Sequence, residues 1–326
     1  MGSLGDTHPE NLPSTSAKVD TLLASCLYDE SLRTLAYIPR FKHRLAILDA
    51  WSIPTGTGPA PKVLDIGCGQ GESTLALALE LGPDARITGI DPARPDYGVP
   101  ITVAEAHKHA LESPLGPRMR FLRADAPSLL QPSPGQSTDT GSVGEQTLEF
   151  DAAALCHSLW YFPDKAGVYS LFSALAGAGI PRVYLAEYDF ESARHDQAPH
   201  VLAARAQALF HACKVPREPG TRTLNVRAAP DVATVREAAR AVGFRVAREG
   251  HLLPAPDMLE GHFEARYTQG EKFAERVRVE QLPKEQEEEI LAYGPRIKAA
   301  MEELKEQGLE HVRAMDVWWA ELELMK

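Results

Sequence analysis

Three glycines alternate with single residues directly after an apolar run in the stretch VLDIGCGQGEST, residues 63–74, where Gly67, Gly69 and Gly71 form the pattern. Glycine lets a backbone turn tightly and approach a ligand closely, because it has no Cβ. A helix that begins right after such a turn points its free N–H groups toward the ligand. The stretch therefore predicts a ligand-binding turn between a buried strand and a helix.

The spacing of the glycines indicates which class of ligand such a turn binds. A dinucleotide turn reads Gly-x-Gly-x-x-Gly and a P-loop ends in Gly-Lys-Ser/Thr. Here the spacing is Gly-x-Gly-x-Gly, and Glu72 follows it. A carboxylate at the start of a helix would oppose a pyrophosphate. The turn thus indicates a different ligand and disfavours an NAD-dependent oxidoreductase.

Two aspartates stand where the next two predicted strands end. Asp91 lies 20 residues beyond Gly71, and Asp125 closes the third strand. A carboxylate after the second strand can bind both hydroxyls of a ribose, a chemistry shared with NAD enzymes. The plain alternatives are a helix cap for Asp91, since Pro92 follows it, and a surface cap for Asp125. Strand ends of a parallel sheet share one edge, so the turn and both aspartates predict one site.

Alternating strands and helices would position these residues. The predicted strands cover 62–66, 85–91, 119–126, 182–190, 244–252 and 312–324, and a further strand begins at 150. The predicted helices cover 19–51 with a break near Pro39, 72–81, 102–111, 168–178, 199–213 and 231–242. This alternation indicates a doubly wound α/β sheet.

Three segments depart from that alternation. Residues 1–18 are polar and predict a mobile tail, and residues 131–147 are of low complexity and predict a disordered surface loop. Residues 256–310 are charged and helical, with breaks predicted at Pro283 and at Gly294–Pro295. The acidic run in this segment indicates a solvated helix face rather than a binding patch.

Composition narrows the partners of the 326-residue chain. Its net charge of -11 disfavours a nucleic-acid partner, because nucleic-acid binders carry a basic face. Four widely separated cysteines form no C-x-x-C pair and predict a reducing compartment, the cytoplasm. The first residues do not resemble a secretory signal, and no apolar run approaches about 20 residues, so we expect no membrane partner.

The glycine stretch resembles motif I of the class I S-adenosyl-L-methionine (SAM)-dependent methyltransferases, which reads hydrophobic-hydrophobic-Asp/Glu-x-Gly-x-Gly-x-Gly. Residues 46–74 are similar to small-molecule methyltransferases of fungal secondary metabolism, in which a Trp-x-Ile segment precedes motif I. The resemblance implies a Rossmann-like, seven-stranded sheet whose N-terminal helices and C-terminal helical insertion form a cap. The implied division is a disordered tail (1–18), an N-terminal helical cap segment (19–58), a SAM-binding core (59–255), a helical insertion (256–310) and a final core strand (311–326).

The same resemblance implies SAM as the cofactor and S-adenosyl-L-homocysteine as the product. The sequence carries no zinc or haem signature and no evident Mg²⁺ site, so we expect no metal. Asp91 would bind the ribose and Asp125 the adenine amino group, while Asp65 would orient the glycine turn. The residues assigned to the cofactor are Tyr28, Asp65, Gly67, Cys68, Gly69, Gly71, Asp91, Pro92, Asp125, Ala126 and Cys156.

His157 and Glu187 are the candidate catalytic residues. His157 follows the fourth strand, where the family places residues that face the substrate, and an imidazole pKa near the working pH suits a general base. The alternative is a hydrogen-bonded structural histidine. Glu187, Tyr188 and Asp189 end the fifth strand, and alternation directs at least one of them into the pocket. A base is needed only if the acceptor must lose a proton.

The resemblance implies methyl transfer to an oxygen, nitrogen or carbon nucleophile of a small molecule. A protein of this fold can also bind SAM without transferring the methyl group, as a pericyclase-type or other non-methylating enzyme or as a sensor or scaffold. We expect a small-molecule substrate as the partner. A homodimer is an open alternative to a monomer.

Overall fold

The computed structural model describes residues 14–54, 60–131, 149–214 and 226–325. Within these ranges one sheet contains the strands β1 (Lys62–Ile66), β2 (Arg86–Ile90), β3 (Met119–Leu122), β4 (Ala152–Cys156), β5 (Arg182–Tyr188), β6 (Phe244–Leu252) and β7 (Val317–Leu324). Their order is β3-β2-β1-β4-β5-β7-β6, and β7 runs antiparallel to both of its neighbours. The predicted doubly wound, seven-stranded sheet is confirmed. The chain reverses its strand order between β1 and β4, which is where open α/β sheets bind ligands.

Two apolar cores lie on opposite faces of this sheet. Val63 and Leu64 are adjacent in β1 and fully buried, yet their side chains enter different cores, because successive side chains of a strand point to opposite faces. All five residues of β4 are buried as well. A strand covered on both faces reads as a continuous apolar run, which is why the central strands were predictable from the sequence.

The α-helices of the described residues surround the sheet and build a cap. They are α1 (Thr15–Ser25), α2 (Ile38–Trp51), α3 (Glu72–Glu80), α4 (Val103–Glu112), α5 (Ala126–Leu130), α6 (Lys165–Gly177), α7 (Ala198–Cys213), α8 (Val232–Ala241), α9 (Glu260–Thr268), α10 (Glu271–Val279), α11 (Lys284–Leu291) and α12 (Tyr293–Glu306). Helices α1, α2 and α3 contribute to one core, and α5, α6 and α8 contribute to the other.

The N-terminal region becomes helical earlier than predicted. The Ser14 side chain accepts a hydrogen bond from the backbone N–H of Ala17 and caps α1, so the helix begins inside the predicted tail of residues 1–18. The predicted break near Pro39 does not occur, because the π-helical turn Arg33–Tyr37 continues directly into α2 and the first turn of a helix tolerates proline. The helical segment is interrupted instead at residues 26–29. The predicted loop at 131–147 lies outside the described residues except for Gln131.

Four predicted strands are too long, two of them by at least four residues. The third strand ends at Leu122 instead of residue 126, because the Asp125 side chain caps α5 by accepting a hydrogen bond from the Ser128 N–H at 2.8 Å. The last strand begins at Val317 instead of residue 312. The preceding backbone bonds to the cap: Met315 N–H donates to Nδ1 of His200 in α7 at 2.9 Å.

Helix α7 packs mainly with the inserted helices, although His200 at its start also contacts Tyr188 of β5, with ring centroids 5.1 Å apart. Ala203 shares a buried cluster with Ile297 of α12, and Phe210 meets Phe273 of α10 with ring centroids 5.7 Å apart. By packing, α7 therefore joins α9–α12 in the cap, although the predicted division placed it in the core. The second predicted break falls at Ala292, before Gly294–Pro295, because the first turn of α12 tolerates proline. No helix in the described ranges has the length and apolarity needed to cross a membrane.

Candidate active site

The backbone of the glycine turn is left-handed at all three glycines. The φ angles are +72° at Gly67, +52° at Gly69 and +94° at Gly71. A Cβ on Gly67 would lie 2.5 Å from the Ser158 Cβ, and one on Gly71 would lie 2.9 Å from the Phe121 ring. A Cβ on Gly69 would meet nothing within 4 Å. The turn therefore packs tightly at its two ends and is open at Gly69, where a ligand can approach the backbone.

Asp65 is hydrogen-bonded to the helix that follows this turn. Its buried Oδ2 accepts hydrogen bonds from the hydroxyls of Ser73 at 2.7 Å and Thr74 at 2.6 Å, both in the first turn of α3. Burial raises the pKa of Asp65 to about 6, against the lowering effect of these hydroxyls. The contacts are those of a residue that orients the start of the helix.

Asp91 joins the second strand to the glycine turn. Its Oδ2 accepts a hydrogen bond from the Gly69 N–H at 2.9 Å, and its Oδ1 accepts one from the Ala93 N–H at 2.8 Å. Each carboxylate oxygen has more than one acceptor site, so both can also accept from a ribose hydroxyl. The Asp91 side chain is thus placed beside the open face at Gly69. Pro92 and Ala126 follow the two aspartates directly.

Other residues assigned to the cofactor lie in less direct positions. Asp125 is exposed and caps α5, the contact that the surface-cap alternative anticipates. Tyr28 packs on the Tyr37 ring with centroids 5.1 Å apart. Cys68 and Cys156 are buried, and burial raises the pKa of the Cys156 thiol to about 12, so this thiol stays protonated.

Glu72 at the start of α3 forms ion pairs with two arginines of the N-terminal helices. It lies 2.6 Å from a guanidinium nitrogen of Arg44 and 3.6 Å from one of Arg40, both in α2. Burial alone would raise the pKa of Glu72, but the two arginines outweigh it and lower the pKa. The Glu72 charge is thereby compensated, so the electrostatic argument against an anionic ligand was wrong, whereas the argument from spacing stands. Arg40 also pairs with Glu260 of α9 at 2.5 Å, which ties the insertion to the turn.

The two candidate catalytic residues are in contact with each other, and His43 of α2 contacts one of them. His157 Nδ1 lies 3.3 Å from Glu187 Oε1, and His157 Nε2 lies 2.9 Å from the Nε2 of His43 in α2. The His157 backbone is left-handed with a φ of +54°, a conformation that costs energy and is concentrated at functional sites. His43 was missed because it stands 114 residues before His157 in a helix without any local motif.

Burial sets the protonation of this group. It raises the pKa of Glu187 to about 8, although the backbone N–H groups of Tyr188, Trp160 and Leu159 all favour the carboxylate. Burial, with a smaller contribution from Arg44, lowers the pKa of His157 to about 3. The expectation that His157 titrates near the working pH was therefore wrong, because its imidazolium is desolvated. The carboxyl group of Glu187 titrates near neutral pH instead.

A cavity of about 90 Å³ lies next to this pair. Its described lining consists of His157, Trp160, Tyr161, Glu187, Tyr188, His200, Val226, Glu260 and Glu264. Three of these side chains are carboxylic acids and three are aromatic rings, and the described lining contains neither lysine nor arginine. Core strand ends, α7 and α9 all contribute, so the cap closes the cavity on one side. The indole N–H of Trp160 is buried, and no hydrogen-bond partner for it occurs among the described residues.

A larger surface groove of about 580 Å³ lies between α8 and the edge strand β6. Three strands, β4, β5 and β7, lie between the edge strand β6 of this groove and the strand β1 that precedes the glycine turn, so the groove does not belong to the same site. The part of the chain that the structure describes has no group of three or more histidine, cysteine, aspartate or glutamate side chains that could hold a metal ion.

Comparison with known proteins identifies the family. A family model described as a methyltransferase domain matches residues 63–170. Over 344 aligned residues the chain is 46% identical to methyltransferase phomM' of Diaporthe leptostromiformis and 45% identical to methyltransferase phomM of the same fungus. Each alignment covers 94% of this chain and 89% of the relative. The chain belongs to the class I SAM-dependent methyltransferases.

The same family is visible in the fold. The crystal structure of a cyclopropane-fatty-acyl-phospholipid synthase-like protein from Lactobacillus casei superimposes on this methyltransferase with a TM-score of 0.69 and 25% identity. That alignment covers 94% of the methyltransferase and 99% of the other chain. The predicted activity, SAM-dependent methyl transfer, is confirmed, and the alternative of binding without transfer is not favoured. A methyltransferase of this class uses a SAM-type cofactor and acts here on a small molecule.

Proposed function

We propose that the methyltransferase transfers the methyl group of SAM to the nitrogen of an amine on a small molecule and releases S-adenosyl-L-homocysteine. One observation carries the choice of nitrogen: the described lining of the cavity combines carboxylic acids with aromatic rings and lacks cationic side chains. The family resemblance supports an acceptor from fungal secondary metabolism. Four free cysteines support a reducing compartment, and we place the enzyme in the cytoplasm.

The cofactor would lie along the glycine turn. The open space at Gly69 and the adjacent Asp91 carboxylate support a ribose at this point, with its hydroxyls on the two carboxylate oxygens. Asp125 lies between β3 and α5, next to the strand that precedes Asp91, and would accept a hydrogen bond from the adenine amino group. Bound SAM supplies a methyl group that is already activated by its sulfonium.

The cavity has the chemistry that recognises an ammonium group. Cations bind over the faces of tryptophan and tyrosine rings, and the Trp160 and Tyr188 ring centroids lie 5.0 Å apart in its wall. Glu264 projects from the cap and accepts a hydrogen bond from Gln207 at 2.6 Å. Drug-sized ligands occupy about 300–1,000 Å³, so a cavity of about 90 Å³ suits the amine end of an acceptor rather than the whole molecule.

An ammonium group must lose a proton before its nitrogen can attack a methyl carbon. Glu187 is suited to accept that proton, because its pKa of about 8 is close to neutral pH and it lines the cavity. His157 Nδ1 lies 3.3 Å from Oε1 of this carboxyl group, and the backbone N–H of Trp160 donates to Oε2 at 3.1 Å. Alignment of acceptor and methyl group can supply about 7–11 kcal/mol of the acceleration.

The proposal is tested with methyl-labelled SAM and pairs of small acceptors that differ only in carrying an amine or a hydroxyl group. We expect label on the amine nitrogen, located by tandem mass spectrometry, and little on the matched alcohol. Exclusive labelling of an oxygen or a carbon would refute the choice of nitrogen. Glu264→Gln should raise the KM for the amine about tenfold, which is about 1.4 kcal/mol. Glu302→Gln, on an exposed face of α12, is the matched control.

A further inference from the structure

We infer that His43 is a positioning residue for methyl transfer, which determines the nitrogen of His157 that carries the proton and thereby keeps the Glu187 carboxylate ready to receive one from the acceptor. This inference rests on the proposed role of Glu187. His43 lies in α2, outside the sheet, with 4% of its surface exposed. No feature of the sequence assigns it a role.

Contact geometry makes the three side chains one chain of hydrogen bonds. The His43 and His157 rings lie 5.1 Å apart with their planes at 30°, and their Nε2 atoms are 2.9 Å apart. Burial lowers the pKa of both imidazoles, so both are neutral near pH 7. A neutral imidazole has one N–H and one bare nitrogen. One Nε2 must therefore donate to the other, and the two tautomers are coupled.

The ionisation of Glu187 selects between two arrangements. When Glu187 is a carboxylate, His157 donates from Nδ1, so its Nε2 is bare and accepts the Nε2–H of His43. When Glu187 is protonated and donates to His157 Nδ1, His157 carries the proton on Nε2, and His43 must carry its own on Nδ1. Each change of the Glu187 proton thus shifts the proton position in both rings.

The surroundings of His43 favour the first arrangement. Its Nδ1 is buried, and the described residues provide no hydrogen-bond partner for this atom. A buried N–H without an acceptor is rarer in proteins than a buried acceptor without a donor, because losing the N–H bond to water is costly. His43 therefore disfavours the state in which its Nδ1 is protonated, and that is the state with a neutral Glu187.

Other titratable or charged groups face the pair from every packed element. They are Arg44, Cys156, Tyr161, Tyr188, His200 and Glu260. Arg44 is paired with Glu72, and its positive charge opposes an imidazolium on either ring. These groups act on Glu187 and His157 whatever stands at position 43, so a substitution of His43 isolates the hydrogen-bond effect.

Two variants separate the hydrogen bond from the packing. His43→Gln can either donate to His157 Nε2 or accept from it, so it removes the bias against a neutral Glu187, and we expect a shift of the pH–rate profile to higher pH with a KM for SAM within twofold of wild type. His43→Phe keeps a ring and leaves the unpartnered N–H of that state on His157 Nε2 instead, so kcat should fall because the His157 ring loses a hydrogen bond, while the pH–rate profile should stay in place. His195→Gln, at a half-exposed position, is the control. An unchanged pH–rate profile in His43→Gln would overturn the inference.

A second measurement needs no acceptor. Nitrogen NMR of the ligand-free protein should show the tautomers of His43 and His157 changing together as Glu187 titrates, and Glu187→Gln should abolish that change. Independent titration of the two rings would overturn the inference even if amine methylation were demonstrated. A different result would separate the two claims. If the tautomers are coupled but Glu187→Gln methylates at the wild-type rate, the coupling stands and the proposed role of Glu187 is refuted.

Discussion

The glycine turn and the acceptor cavity lie at the same edge of the sheet, but different parts of the chain build them. The turn is a short stretch of backbone whose direct partners, Asp65 and Asp91, belong to its own strand and the neighbouring one. The described lining of the cavity collects side chains from the ends of two core strands and from α7 and α9, and α2 reaches the same group through the contact of His43 with His157. The turn therefore depends on local backbone geometry, whereas the cavity depends on how distant helices close over the sheet.

Their electrostatics differ for the same reason. At the turn, Asp91 is half-buried and binds two backbone N–H groups. In the cavity, desolvation dominates, and it raises the pKa of Glu187 to about 8 while it lowers the pKa of His157 to about 3. Chemistry near neutral pH is therefore assigned to a carboxyl group rather than to a histidine. The helices that close over the sheet cause this difference, because they bury both the carboxyl group and the imidazole.

The largest effect is expected at the cavity. Glu187→Gln removes the proposed proton acceptor, and general acid–base catalysis contributes about 10²- to 10⁴-fold, so kcat should fall by that range while SAM still binds. Stopped-flow kinetics with SAM titrations measure both quantities. Glu302→Gln serves as the exposed control. A variant that retains wild-type kcat would exclude Glu187 from catalysis.

Alanine substitutions at two glycines of the turn should have different effects, one mainly on stability and the other mainly on SAM binding. Gly67→Ala combines left-handed strain with a clash on Ser158, and should lower the free energy of unfolding by about 3 kcal/mol. Gly69→Ala meets no neighbour and should cost only about 1 kcal/mol. Its new methyl group would nevertheless face the cofactor and weaken SAM binding about 10- to 100-fold. Urea unfolding and calorimetry give the two values.

A double variant provides the control for this pair. Gly67→Ala combined with Ser158→Gly removes the Cβ atom that the new methyl group would meet at 2.5 Å, so part of the lost stability should return. Wild-type SAM affinity in Gly69→Ala would show that the cofactor does not approach this face of the turn.

Asp91 should affect cofactor affinity more than Asp125. Asp91→Ala removes both proposed ribose hydrogen bonds, and hydrogen bonds to charged groups contribute about 1.5–3 kcal/mol, so the Kd for SAM should rise at least tenfold. Asp125→Ala should raise it less, because Asp125 is exposed and already caps α5. Calorimetric titration measures both. Undiminished affinity of Asp91→Ala would contradict the ribose assignment.

The smallest effect concerns the pH dependence of stability. The pKa of Glu187 is raised in the folded protein, so the folded state retains a proton that the unfolded chain releases above pH 4.5. Stability from this group is full below that pH and is lost as the pH rises through about 8. Between pH 7 and 8, above the titration of the buried histidines, wild type should lose about 1 kcal/mol more than Glu187→Gln. Equal losses in urea unfolding would contradict the raised pKa.

Prediction from the sequence succeeded where local signals were sufficient. The strand Lys62–Ile66 and the turn after it were predicted within a residue, because apolar runs and glycine spacing are local. The third strand was predicted four residues too long, since Asp125 can end a strand or cap a helix and only the following helix decides between them. His43 had no local signal, because its partner is distant in sequence.

The sequence by itself determined the fold class, the place of the cofactor turn and the family, since these depend on periodicity and on the conformational freedom of glycine. It also placed His157 and Glu187 at neighbouring strand ends. Tertiary structure decided which of them titrates near neutral pH, which helix contacts them, and which charges the cavity presents. The physical reason is that pKa values and hydrogen-bond partners depend on desolvation, and desolvation exists only after distant segments pack together.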